Sequence, residues 1–211
     1  MRTDNLRKAL LETKAQIVHF CGHGSGKNGL VLENEQGEAK LVSTKALANL
    51  FELFSGQIKC VVLNACYSEE QAEAIVQHVG YAIGMNEAIG DKAAIKFSIG
   101  FYDALGAQRS IKDAFYFGCN SIEIEGIAEY LAPVLKLNND NVDILEKNQQ
   151  LSNLSPVQDS WVLCMILMFP LIIIKRSEMF VWLNSNRRFL VPFELLLGHK
   201  CSVAFEAIFP L

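Results

Sequence analysis

Short apolar runs alternate with amphipathic stretches from the start of the chain to about Leu137. The runs at 15–21 (AQIVHFC), 58–63 (IKCVVL) and 80–84 (GYAIG) are nearly unbroken in apolar residues, the pattern of strands buried on both faces. Segments 29–33 and 38–42 read as two strands joined by turn residues at 34–37. The intervening stretches carry a helical period. Over 43–54, Leu47, Leu50, Phe51 and Phe54 share one face. Ser68 and Gln71 have capping-box spacing ahead of Ala72, Ile75 and Val79. Further helices are predicted over 88–105 and 110–124, the second with a box-like start at Ser110 and Asp113. At the beginning, Asp4 is positioned to cap a helix running through Lys8, Leu10 and Leu11.

Strands alternating with helices predict an α/β fold with a parallel sheet sandwiched by helices. In such sheets the chemistry gathers at the carboxyl ends of the strands. Two ends stand out: Cys21-Gly22-His23-Gly24 after the first strand, and Asn64-Ala65-Cys66-Tyr67-Ser68 after the second. The loop at 22–28 lies between them in sequence and is rich in glycine.

The pattern breaks down in the last third. The organisation expected is a domain over 1–140 and an atypical apolar tail over 141–211, non-native or disordered, with the change of character setting in at about Asn148. The apolar run at 161–174 is interrupted by Pro170 and followed by Lys175 and Arg176. It falls short of the roughly 20 residues needed to span a bilayer, so membrane attachment is not expected.

Composition narrows the picture further. The chain has 211 residues, 51% hydrophobic and 20% charged, which is a globular balance and enough for one ordinary domain. The formal net charge of −4 offers no basic footprint for nucleic acid. The six cysteines are scattered, mostly in apolar runs, and polar residues follow Met1 where an export segment would be apolar. Free thiols in a reducing cytoplasm are therefore expected rather than a disulfide framework.

A thiol nucleophile needs a base within reach and backbone N–H donors aimed at the oxyanion. His23 and Cys66, at two strand ends and beside small residues, meet the first requirement as base and nucleophile. The N–H groups of Gly24 and of Cys66 itself meet the second. The helix opening at Ser68 directs the positive end of its dipole toward a thiolate at Cys66. Cys21, Cys60 and Cys119 read as core cysteines, and His19 as a buried structural residue that shares strand parity with His23.

Other readings of these residues fail on context. Residues 24–29 fit G-x-G-x-x-G, but a dinucleotide site needs a helix next, and a strand follows. A phosphate loop around Lys27 is short by one residue, with Asn28 where Ser or Thr would hold magnesium. A zinc site from His19, Cys21, His23 and Cys66 lacks paired ligand spacing, so no metal is expected. Glu69 and Glu70 read as first-turn helix charges. Asp91 either lines a pocket for a basic substrate side chain or caps the helix that follows it.

The segments at 17–24 (IVHFCGHG) and 61–69 (VVLNACYSE) resemble the two motifs of CHAT domains, bacterial caspase-like cysteine peptidases often fused to tetratricopeptide repeats. Residues 84–94 and 101–106 are similar to the same family, and the resemblance runs from about Asp4 to Leu137. It implies a caspase–hemoglobinase-like fold, with His23 as general base, Cys66 as nucleophile and Gly24 at the oxyanion position. It implies a protein or peptide substrate, no cofactor, and a tetratricopeptide-repeat or other regulatory protein as partner. The family's domain has further strands upstream of the His-bearing one, so a sheet incomplete at its N-terminal side is expected. A catalytically inactive, truncated interaction module or gene remnant is the alternative to an active endopeptidase.

Overall fold

The structure, a computed structural model, describes residues 2–13 and 15–142, and beyond them four strands within 161–192. The elements in chain order are α1 (Thr3–Glu12), β1 (Ala15–Cys21), β2 (Leu30–Glu33), β3 (Ala39–Val42), α2 (Thr44–Glu52) and β4 (Cys60–Asn64). They continue with α3 (Glu69–Ile75), β5 (Tyr81–Met85), α4 (Asp91–Gly106), α5 (Ile111–Ile124) and β6 (Pro133–Leu137). The last four strands are β7 (Trp161–Ile166), β8 (Ile172–Lys175), β9 (Met179–Asn184) and β10 (Arg187–Pro192).

An eight-stranded sheet runs in the order β10-β9-β8-β7-β1-β4-β5-β6, and β2 and β3 form a separate two-stranded hairpin. The centre of the large sheet is parallel: β1 pairs β4 and β7, and β4 pairs β5, all in the same direction. The outer pairs are antiparallel. The fold is therefore α/β, caspase-like, with a mixed and mostly parallel central sheet between helices. β7 lies along the other edge of β1, opposite β4. β6 is an addition to the sequence reading. It begins with Pro133 at the sheet's outer edge, where a missing N–H breaks no ladder bond.

The strand period of two divides the core between the two faces. Val18, Phe20, Val61 and Leu63 point to one side, against Leu6 and Leu10 of α1, Leu47 and Phe51 of α2, and Ile75 of α3. Cys60, Val62, Ile83 and Met85 point to the other, against Phe97 and Phe101 of α4 and Phe115 and Ile122 of α5. Every residue of β4 is buried, which is why its sequence reads as an unbroken apolar run. The two outer helices approach closely through glycine: a Cβ on Gly118 would overlap the ring of Phe97, and one on Gly100 the Ser121 side chain. Among the described residues no helix is long and apolar enough to cross a membrane.

The helix starts differ in part from the sequence reading. Ser43 and Ser110 cap α2 and α5, accepting from the N–H groups of Ala46 (3.3 Å) and Asp113 (3.0 Å). Asp4 does not cap α1; it lies in the first turn, behind Arg2 at the cap position. Asp91 likewise is the first residue of α4 rather than its cap, which is Gly90, and it makes no capping hydrogen bond. Ser68 and Gln71 form no capping box. Ser68 is fully buried, and its hydroxyl donates to the Leu63 carbonyl (2.8 Å) and accepts from the Met85 N–H (3.0 Å). It thus stitches β4 to β5 just beyond the sheet, a tertiary use that outweighs the local cap.

Ser68→Ala would leave the buried Met85 N–H without its partner, while the Leu63 carbonyl keeps the Ala65 N–H (2.9 Å). It is expected to cost about 1–3 kcal/mol of stability. Urea denaturation followed by circular dichroism would measure this, and an unchanged midpoint would contradict the stitching role.

Candidate functional site

β1 and β4 run side by side in register, with Cys21 opposite Asn64. The Gly22 N–H extends the ladder by one bond to the Asn64 carbonyl (3.2 Å). His23 and Cys66 each lie two residues past that last pair, so the two chain segments leave the sheet level with one another. Gly24 then packs directly on the Cys66 turn. A Cβ at position 24 would overlap the carbonyl oxygen of Cys66 and come within 3.1 Å of its carbonyl carbon. Only glycine permits this approach.

His23 is exposed, and its carbonyl accepts from the Val31 N–H (3.0 Å) at the start of the β2–β3 hairpin. Gly24 faces Leu30 across an isolated antiparallel bridge. The bonds flanking that bridge are Val31 N–H to His23 O and Ser25 N–H to Gly29 O. Gly24 and Leu30 are therefore a non-hydrogen-bonded pair, and the Gly24 N–H stays outside the ladder. The Cys66 N–H also makes no backbone hydrogen bond among the described residues.

Cys66 is half-buried at the turn between β4 and α3. Its thiol points to the Ile89 carbonyl at 3.7 Å. The next residue, Tyr67, has a left-handed backbone (φ 54°), an uncommon conformation for a large side chain. Its N–H donates to the Glu87 carbonyl (3.2 Å), and its ring is exposed. The loop after β5 thus reaches over to the Cys66 turn twice, through Glu87 and Ile89, and leads into Asp91, which is exposed. The loops after β1, β4 and β5 meet at one end of the sheet; His23, Gly24 and Cys66 lie on them, and Asp91 opens α4 just past the third.

His19 and Cys21 are further down β1 and serve differently. His19 is buried, with Nδ1 2.8 Å from the Tyr102 hydroxyl and Nε2 3.2 Å from the Cys21 sulfur. Its partners on β1 and α4 fit the structural role read from its parity. Asn64 is buried too, and its amide donates to the Ala94 carbonyl (3.0 Å) and to Ser98 Oγ (3.2 Å), fastening α4 to the end of β4.

Gln71 was not apparent as a site residue. From α3 it donates to the Gly26 carbonyl (2.8 Å) in the His23 loop and to Thr44 Oγ1 (2.7 Å). The available signal was an amide among Ala72 and Ile75 on the buried face of its helix, a position where a polar side chain needs a partner.

The chain matches the CHAT domain family over residues 1–115. It is similar to a protein named "Roc-COR-CHAT protease" from an unknown prokaryotic organism, 26% identical over 117 residues, which are 53% of this chain and 11% of that protein. It is also similar to a "Probable protease" of Gillisia limnaea, 28% identical over 124 residues, 57% of this chain and 22% of that protein. The matched region therefore spans only a small part of either curated relative.

The thiols of the domain differ in environment. Burial pushes the Cys60 thiol far up, and raises that of Cys119 to about 11. Thiolate is the reactive form, so both are expected to resist iodoacetamide at pH 8 in the folded chain while Cys66 is modified. Labelling of Cys119 should climb as pH approaches 11. Peptide mass mapping checks the order; Cys60 modified ahead of Cys66 without unfolding would contradict it.

Proposed function

The chain belongs to the CHAT domain family, a protease-type family, and from that premise we propose that it is a cysteine endopeptidase working through a His23–Cys66 dyad. The observation that carries the reading is the packing of Gly24 on the Cys66 carbonyl, which joins the His-bearing loop to the Cys-bearing turn at the ends of adjacent parallel strands.

The chemistry follows from the residue types. Cys66 gives its proton to the His23 imidazole as the sulfur attacks the carbonyl carbon of a peptide bond. The N–H groups of Gly24 and Cys66, outside the backbone ladders, hold the oxyanion. The tetrahedral intermediate collapses, the amine leaves with the proton from His23, and a thioester remains on Cys66. Water, deprotonated by His23, then attacks the thioester and frees the acid. No step calls on a metal or an organic cofactor. The substrate is a protein or peptide, in keeping with the protease names of the relatives. Asp91, exposed and continuous with the loop that touches the Cys66 turn, favours a basic substrate side chain. The four described cysteines are free, which suits a reducing compartment such as the cytoplasm. A tetratricopeptide-repeat or other regulatory protein is the expected partner.

An electrophilic peptide probe, a peptidyl acyloxymethyl ketone, tests the nucleophile directly. Labelling is expected in the native sequence, lost in Cys66→Ala, and slowed roughly 10²–10⁴-fold in His23→Ala, the range of a general base. Gly24→Ala is expected to suppress labelling as well, by forcing the two loops apart. Labelling that persists in Cys66→Ala would remove the dyad and leave the domain as a non-catalytic interaction module.

A further inference from the structure

The loop carrying His23 is tied at its two ends by the Gly22 N–H to Asn64 O and the Val31 N–H to His23 O bonds. Its middle is gripped by Gln71. This side chain is fully buried, donates from Nε2 to the Gly26 carbonyl (2.8 Å) and reaches Thr44 Oγ1 (2.7 Å) with the same group. A backbone carbonyl can only accept, so the NH₂ end must face Gly26. That orientation leaves Gln71 Oε1 buried and without a partner among the described residues. An apolar side chain of similar length would fill the space without stranding an acceptor. What sets the amide apart from such an apolar side chain is what its NH₂ group donates to, the Gly26 carbonyl and Thr44 Oγ1.

What that donor fixes is a distance. Gly26 lies three residues after His23, with a left-handed backbone (φ 54°). Gln71 belongs to the helix that starts just after Cys66. We propose that Gln71 is the positioning residue of the dyad: by clamping Gly26 it holds the His23 loop against the helix that follows Cys66 and so sets the separation of imidazole and thiol. The proposal rests on the peptidase reading above. The competing role is a simple brace between α3 and α2 through Thr44, and the two roles part on one variant. Thr44→Val removes the brace and leaves the Gly26 clamp.

The experiment measures the rate of Cys66 alkylation by iodoacetamide, by peptide mapping, in the full chain with melting curves recorded alongside. His23→Ala and Gln71→Met are each expected to slow it roughly tenfold or more, because misplacement by about 1 Å already costs that much. Thr44→Val is expected to stay near the native rate. Gln71→Glu loses the donor while ionised and regains it when protonated. Burial raises a carboxyl's affinity for its proton. Its rate relative to the native chain is therefore expected to be low at pH 8 and to recover toward unity near pH 5. This variant also keeps the test open should Gln71→Met fail to fold, since its neutral form fills the same space. Native rates in both Gln71 variants, with His23→Ala slow, would overturn the positioning role and leave the dyad intact. Thr44→Val as slow as Gln71→Met would reduce Gln71 to a brace. A native rate in His23→Ala would remove the dyad and the Gln71 proposal with it.

Discussion

The contact on which the site depends is backbone against backbone: the α-carbon of Gly24 against the carbonyl of Cys66. Parallel strands in register already bring their ends level, because Cys21 faces Asn64. Register alone does not make the following loops converge. They converge because position 24 has no side chain, so the chain after His23 can lie on the turn at Cys66. A methyl group there would strike a main-chain oxygen, and a main-chain atom cannot move aside as the end of a flexible side chain can. The loop that carries His23 is thus held close to the Cys66 turn by a main-chain contact.

Around that contact, buried polar groups do the fastening. Ser68 joins the carboxyl end of β4 to the end of β5, and Asn64 holds the start of α4 through Ala94 and Ser98. Gln71 grips the loop from below. Each lies within a few residues of Cys66, and each is buried. Apolar packing is non-directional and fixes where the helices lie against the sheet. Hydrogen bonds with defined donors and acceptors fix how the loops are aimed. The division is visible in the core: the two faces of the sheet are filled by aliphatic and aromatic side chains, while the directional bonds gather at the carboxyl end.

The elements up to α5 were legible because their signals are local. A helix face with Leu47 and Phe51, or the unbroken apolar run of β4, announces itself over a few residues. His23 and Cys66 could be singled out for the same reason, since each follows a readable strand. β6 was hidden because Pro133 and the polar Lys136 dilute a short edge strand. The strands within 161–192 are mostly apolar, with polar residues only at their ends, and carry no period of two to mark them. The roles of Ser68 and Gln71 were misread for a deeper reason. Their spacing satisfies a local capping rule, yet both side chains bond to residues distant in sequence, Met85 for one and Gly26 and Thr44 for the other. A local pattern describes what a side chain can do; only the fold decides between that and a tertiary partner.

The resting direction of the Cys66 thiol has a consequence for how such a dyad is completed. The sulfur points to the Ile89 carbonyl at 3.7 Å, a long contact for a weak S–H donor. Turning the thiol toward His23 forfeits little, because this bond is worth little. The neighbouring backbone, by contrast, is held by Gly24, by the Tyr67 N–H on Glu87 and by Gln71 on Gly26. On the peptidase reading, the thiol is therefore the freer part of this turn and the backbone around it the fixed part. The strained backbone of Tyr67 fits the same scheme, since a rigid turn is what keeps a left-handed tyrosine in place beside Cys66.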